Sequence, residues 1–200
     1  MPDIKKLTEN LEKHGFTVSY YETGAEAAAA ITAAVNSKTV GIGGSKTVEA
    51  LGLFELLSAH NDVAWHWKQP VAEARAKAAA AQVYLCSANG VAETGEIINI
   101  DGDGNRVAAT QYGREKLYII IGVNKIAPDF ESALWRARNI AAPLNAKRLA
   151  RKTPCALSAE MKCYDCDSPE RICKALSVFY RKPNGVADCE VVIINEELGY

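Results

Sequence analysis

The sequence carries almost no net charge, with 23 lysines and arginines against 24 aspartates and glutamates over 200 residues. Without an excess of either sign there is no field to hold the protein on nucleic acid or an anionic membrane, and neither is expected as a partner. No stretch is apolar over the roughly eighteen residues a bilayer span requires. The charged start Met1-Pro2-Asp3-Ile4-Lys5-Lys6 also lacks the apolar run and cleavage site of a secretory signal, so a cytoplasmic protein is expected. Histidine is scarce: His14, His60 and His66 stand at no spacing that builds a nucleophilic triad or a helical zinc site. Repeats, low-complexity tracts and linkers are missing too, so residues 1–200 read as a single domain.

What is present is a packed-core composition, 48% hydrophobic, and an alternation of periods. Ile4, Leu7 and Leu11 recur at helical spacing before Gly15, and Phe16 to Tyr20 reads as a strand. Thr23 to Glu26 has capping-box spacing ahead of an alanine-rich helix. Strands are expected at 40–42, 63–67 and 83–86, with helices at 45–57 and 71–81 between them. Such alternation predicts an α/β fold, an open, mainly parallel sheet with helices on both faces. Leu117 to Val123, almost wholly apolar, suits a central strand buried on both faces. A β-hairpin is expected from Ile97 to Ile100 and Val107 to Thr110 around Asp101-Gly102-Asp103-Gly104-Asn105. That turn resembles the start of a calcium loop, but Arg106 and Tyr112 occupy the positions where glycine and glutamate belong. Pro128 opens a helix that Pro143 closes. Strands at 176–180 and 191–195 complete the chain.

Periodicity is lost after Arg148, where four of the six cysteines cluster. Cys163 and Cys166 form a C-x2-C pair, with Cys155 before it and Cys173 after it, all within residues 155–173. In a reducing compartment such thiols serve as metal ligands or redox groups more often than as disulfides. A C-x2-C turn aims two sulfurs at one centre, and Lys152, Lys162, Arg171 and Lys174 offset thiolate charge. Four thiolates suit zinc or a 4Fe-4S cluster; one pair flanked by single cysteines departs from the two-pair zinc ribbon and favours iron–sulfur. The cysteine-rich segment, 150–175, is therefore expected to bind metal, with zinc as the alternative to the cluster. Cys86, in an apolar strand, reads as core. Cys189, between two acids, has no partner cysteine.

Three loops are candidate ligand sites. Gly43, Gly44 and Ser45 lie between a strand and a helix, where an anion or simply a Ser45-capped turn fits; neither a P-loop nor a dinucleotide fingerprint is present. Glu93, Thr94 and Gly95 follow a strand, and Glu93 could act as base, nucleophile or anchor. Asn124 and Lys125 leave the central strand, positioned to meet an anionic substrate.

Together these stretches resemble the LUD (lactate utilization) domain family. The resemblance rests on Val40-Gly41-Ile42-Gly43-Gly44-Ser45 with Thr47-Val48, Glu93-Thr94-Gly95, Gly122-Val123-Asn124-Lys125-Ile126, Asn139 to Asn145, and Thr153-Pro154-Cys155 through Cys173. It is nearest to the small, stand-alone, cysteine-bearing members, which share the ending Asn-Glu-Glu-Leu-Gly-Tyr. It implies a fold similar to the sugar-isomerase and CoA-transferase group, with a ligand cleft at the carboxyl edge of the sheet. Larger relatives oxidise lactate with iron–sulfur partners; the repeated C-x2-C-x2-C run of a ferredoxin-like domain is missing here. By this resemblance Gly43, Gly44, Ser45, Thr94, Gly95, Asn124 and Lys125 are candidate cleft residues, and Glu93 is the candidate catalytic residue, since CoA transferases of similar fold use a glutamate nucleophile. The expectation is a 4Fe-4S redox or catalytic component in the utilization of lactate or another small organic acid, working with an electron-transfer protein. The alternative is a small-anion or acyl-CoA binding or transfer protein with structural zinc. A homodimer is expected from the fold class alone.

Overall fold

The computed structural model describes residues 2–200. Its first helix, α1 (Ile4–Lys13), is capped by Asp3, whose carboxylate accepts the Lys6 amide, and it buries Leu7 and Leu11. Gly15, at φ +87°, turns the chain into β1 (Thr17–Tyr21). Thr23 and Glu26 form a full capping box at the start of α2 (Gly24–Ala34), and β2 (Thr39–Ile42) follows.

The single helix expected over 45–57 is two: α3 (Lys46–Ala50) and α4 (Leu53–Ser58). Gly52 separates them in the left-handed conformation, φ +62° with open space around it, which breaks the helical path. Then come β3 (Asp62–Trp65), α5 (Val71–Ala80), β4 (Val83–Cys86) and, further on, β7 (Arg114–Gly122) and β10 (Val186–Ile194). These six strands pair in the order β1-β10-β7-β4-β2-β3, every pair parallel.

Leu117 to Val123 is central as expected, because β7 lies inside the sheet and alternates its side chains between two apolar layers. Leu117, Ile119 and Ile121 pack with Leu7 and Leu11 on one face; Tyr118 and Ile120 pack with Ile31, Leu53 and Leu57 on the other. Both layers exclude water, the condition for an all-parallel sheet. Cys189 belongs to the first layer and is fully buried, so it too is a core residue.

A second sheet carries the order β8-β5-β6-β9, from β5 (Gly90–Ala92), β6 (Ile97–Asp101), β8 (Ile126–Ala127) and β9 (Ala175–Phe179). The expected hairpin is corrected here: β6 pairs antiparallel with β5 and β9, while Val107 to Thr110 lies in helix α6 (Asn105–Gln111). The Asp101 carboxylate explains the change, since it accepts the amides of Gly104 and Val107 and caps α6. A capped helix satisfies those donors without a partner strand.

Pro143 does not close its helix. After α7 (Phe130–Arg136) the chain widens into a π-turn (Ala137–Ala141) and continues as α8 (Ala142–Arg148). The wider turn puts Pro143 in the first turn of α8, where its missing N–H leaves nothing unsatisfied. A short helix, α9 (Pro154–Leu157), and an irregular run carry the cysteines before β9. Among the described residues, no helix is long and apolar enough to cross a membrane.

Gly90 sits where β5 meets α7: a Cβ there would stand 2.5 Å from the Ala133 carbonyl oxygen. Gly90→Ala should cost about 1–3 kcal/mol through overpacking, read as a lower urea midpoint at unchanged m.

Candidate functional site

Because the six strands run the same way, the loops leaving β2, β3, β4 and β7 gather at one edge. They surround a cleft of about 310 Å³, lined by Gly44, Ser45, Trp67, Ser87, Lys125 and, from beyond the sheet, Asp101, Arg106 and Arg148. Three of the loop residues expected from sequence therefore meet at the carboxyl edge: Gly44, Ser45 and Lys125. Gly43 lies just beneath, where a Cβ would come within 3.0 Å of the Tyr84 hydroxyl and 3.2 Å of Arg106; at Gly44 it would press on the Trp67 ring. Ser45 uses its hydroxyl to accept the Val48 amide and cap α3, so its side chain is committed to the turn.

Lys125 ends the one-turn 3-10 helix (Val123–Lys125) after β7 and is only 4% exposed. Its Nζ donates to Ser87 Oγ at 2.9 Å and to the Ala88 carbonyl at 3.2 Å, both just past β4. Burial pushes its pKa down to about 7, and the positive charges of Arg136 and Arg106 add to the shift. Arg136 is held by carbonyls, donating to Asn124 O at 2.7 Å and Asn89 O at 2.6 Å; burial lowers its pKa to about 10. Arg106 donates to Asn89 Oδ1 and Ile100 O and lies 3.6 Å from Asp101. At the rim Arg148 stacks 4.8 Å from the centre of the Trp67 ring and is oriented by Asn145 Oδ1.

Among the cleft-lining side chains, Lys46, Arg75, Arg106, Lys125, Arg148 and Arg151 are basic, while Asp101 and Asp103 are acidic. Asp103 pairs with Arg75 and Asp101 with Arg106, and Lys46 pairs with Glu49. The remaining surplus makes the cleft electropositive and suited to an anion of small size. Sequence reasoning missed Arg106 and Arg148, since nothing local distinguishes a helix arginine that faces a cleft from one that faces water.

Glu93, Thr94 and Gly95 lie elsewhere, on the β5–β6 turn of the second sheet. The Glu93 carboxylate accepts the Asp3 amide at 2.8 Å and pairs with Lys6 at 3.2 Å, while its carbonyl accepts from Asn10. Thr94 donates to Glu96, and Gly95, at φ +101°, fits against His14. The trio clamps α1 to the second sheet and is not among the cleft-lining residues. Asn124 is likewise turned to scaffolding: its Oδ1 accepts the Leu198 amide at 3.1 Å and fastens the final segment beside the cleft. Thr47 donates to the Leu198 carbonyl and completes that attachment.

Cys155, Cys163, Cys166 and Cys173 are all half-buried and line one pocket with Arg138, Thr153 and Arg171. Cys163 Sγ accepts the Asp165 amide at 3.4 Å and faces Arg138 Nη2 at 3.7 Å, and Cys155 Sγ lies 3.3 Å from the Thr153 hydroxyl. Asp165, at φ +45°, makes the C-x2-C turn, and Arg171 holds its far side through the Cys166 and Cys173 carbonyls. Four thiols lining one pocket make a sulfur donor set that fits a soft metal centre. Among the described residues, however, no three His, Cys, Asp or Glu side chains are already gathered into a metal-binding group. The pocket that the thiols help to line has a volume of about 20 Å³. Ala142 and Ile172 line both this pocket and the cleft and form the wall between them. Cys86, by contrast, is fully buried, and burial pushes its thiol up to about 12.

Two outcomes follow from the environments of Lys125 and Glu93. Unfolded, Lys125 holds its proton to about pH 10; folded, it sheds it near 7. The unfolded chain therefore binds more protons through that window, and stability should rise as pH climbs from about 7 to about 10. Lys125→Met should flatten that rise in urea midpoints measured across the range. Glu93→Gln should lower stability by about 0.5–2 kcal/mol through loss of the α1 clamp and leave anion affinity in the cleft unchanged by calorimetric titration.

A family model described as the LUD domain matches residues 4–194. In three dimensions the chain is similar to a crystal structure of a DUF162 family protein from Deinococcus radiodurans, with a TM-score of 0.57 and 14% identity over 96% of this chain and 95% of that one. No curated protein matches the sequence. The parallel sheet with its carboxyl-edge cleft, together with a family match running almost from end to end, means that this chain belongs to the LUD domain family.

Proposed function

We propose that this protein is an iron–sulfur redox component acting on a small organic acid, with lactate, the acid linked to the family, as the first candidate. The observation that carries the reading is the wall shared by an electropositive cleft and a pocket lined by four cysteines. In this reading Arg106 and Arg148 orient the carboxylate of the acid, and Trp67 shields the rim from water. Cys155, Cys163, Cys166 and Cys173 would hold the cluster, and Arg138 and Arg171 balance the charge of the thiolates. Such a cluster, when bound, supplies one-electron transfer. An electron-transfer protein would be the partner of such a cluster, and a reducing cytosol would keep the thiols available.

A second reading follows from the narrowness of the cysteine pocket. About 20 Å³ takes one ion more readily than a four-iron cluster, for which residues 155–173 must part. Zinc there is structural, and the cleft then serves as a binding or transfer site for a small anion or acyl-CoA.

Anaerobic purification with iron, acid-labile sulfide and zinc analysis separates the two. The cluster reading expects matched iron and sulfide with a broad absorption band near roughly 400 nm, and a loss of at least about half the iron on Cys163→Ser or Cys166→Ser. Stoichiometric zinc without sulfide selects the second reading, and a protein free of iron, zinc and sulfide overturns both.

A further inference from the structure

Lys125 is placed unlike an ordinary buried lysine. Its Nζ has two neutral oxygens as partners, Ser87 Oγ and Ala88 O, and among the described residues it joins no ion pair. A neutral amine has two hydrogens and one lone pair. The two hydrogen bonds use both hydrogens, so the remaining tetrahedral position on nitrogen carries the lone pair. An ammonium would need a third acceptor, and the positive charges of Arg136 and Arg106 disfavour it. The 3-10 turn, Ser87 and the segment ending at Gly199 hold the side chain in place: a Cβ at Gly199 would lie 3.3 Å from Nζ. The amine also lines the cleft that Arg106 and Arg148 line.

We propose that Lys125 is a covalent catalytic residue whose Nζ condenses with the carbonyl carbon of a 2-oxo acid bound in the cleft, forming an imine. The nitrogen lone pair makes the new C–N bond as the carbonyl π bond opens, and one nitrogen proton passes to the carbonyl oxygen to give a carbinolamine. Ser87 Oγ, 2.9 Å from Nζ, relays the second nitrogen proton to that hydroxyl, which leaves as water as the C=N bond forms. No oxidant or reductant enters the step. A 2-oxo acid is the two-electron oxidation product of a 2-hydroxy acid, so the proposal deepens the reading of the cleft as a small-acid site and rests on it. It is independent of what the cysteines hold.

The test is borohydride trapping of the full chain with pyruvate and glyoxylate as probes, lactate as the carbonyl-free control, and peptide mapping by mass spectrometry. The expected result is one probe-dependent adduct, heavier by the acid less water plus two hydrogens, on the peptide carrying Lys125. It should exceed labelling of exposed lysines by at least about tenfold, fall when lactate competes, and vanish in Lys125→Arg and Lys125→Met. Even labelling across surface lysines overturns the proposal. So does the lack of an adduct while the acids still raise the melting temperature, an outcome that leaves the small-acid cleft standing. Neither adduct nor stabilisation overturns both.

Discussion

The parallel pairing of β7 with β4 on one side and β10 on the other supports everything at the cleft. Backbone hydrogen bonds in register along β7 fix where Gly122 ends the strand, and hence where Lys125 emerges beside Ser87 and Ala88. A parallel ladder of this kind persists only when both faces are dry. The two apolar layers on either side of β7 meet that condition, so the same burial that stabilises the sheet delivers the loops to one edge.

Burial also sets the electrostatics of that edge. Lys125 and Arg136 are held by carbonyl and hydroxyl oxygens, which accept their hydrogen bonds without supplying a counter-charge. The cost of desolvation then appears as lowered proton affinity in both side chains. Arg106 is different because Asp101 stands beside it, and Asp101 is itself fixed by the amides of α6. A site built in this way keeps a positive potential while admitting few counter-charges, which is the environment a small carboxylate or a reactive carbonyl needs.

The six cysteines divide by environment. Cys86 and Cys189 lie inside the apolar layer around the sheet, where burial raises the pKa of both thiols and makes them inert packing groups. The other four sit half-buried among guanidinium groups and backbone donors, Cys155 on the one-turn helix α9 and the other three on the irregular run after it. Irregular backbone suits them, since a strand would send alternate sulfurs to opposite faces and a helix would spread them around its axis. The π-turn in the α7–α8 run has its own part in this arrangement: it keeps Arg138 and Ala142 on a continuous helical path that faces both the cysteine pocket and the cleft.

Local pattern was enough for much of the chain. The capping residues Thr23 and Ser45, the turn at Gly15, the apolar run of β7 and the aperiodic cysteine segment are each decided within a few neighbours, and so were legible in the sequence. The parallel sheet followed from the alternation of helix and strand, and with it the placing of Gly44, Ser45 and Lys125 at the carboxyl edge. Tertiary structure decided the rest. Asp101 turned Val107 to Thr110 into a capped helix where alternation suggested a strand, a π-turn carried the chain through Pro143, and Gly52 broke a helix that propensity would have continued. Glu93 reads from sequence as a loop acid near a strand end, but that strand belongs to the second sheet, and its carboxylate is held by α1 some 90 residues away in the chain. Arg106, Arg136 and Arg148 acquire their roles only through long-range packing, because local sequence sets the helix that carries a side chain and the contacts of that helix set what the side chain meets.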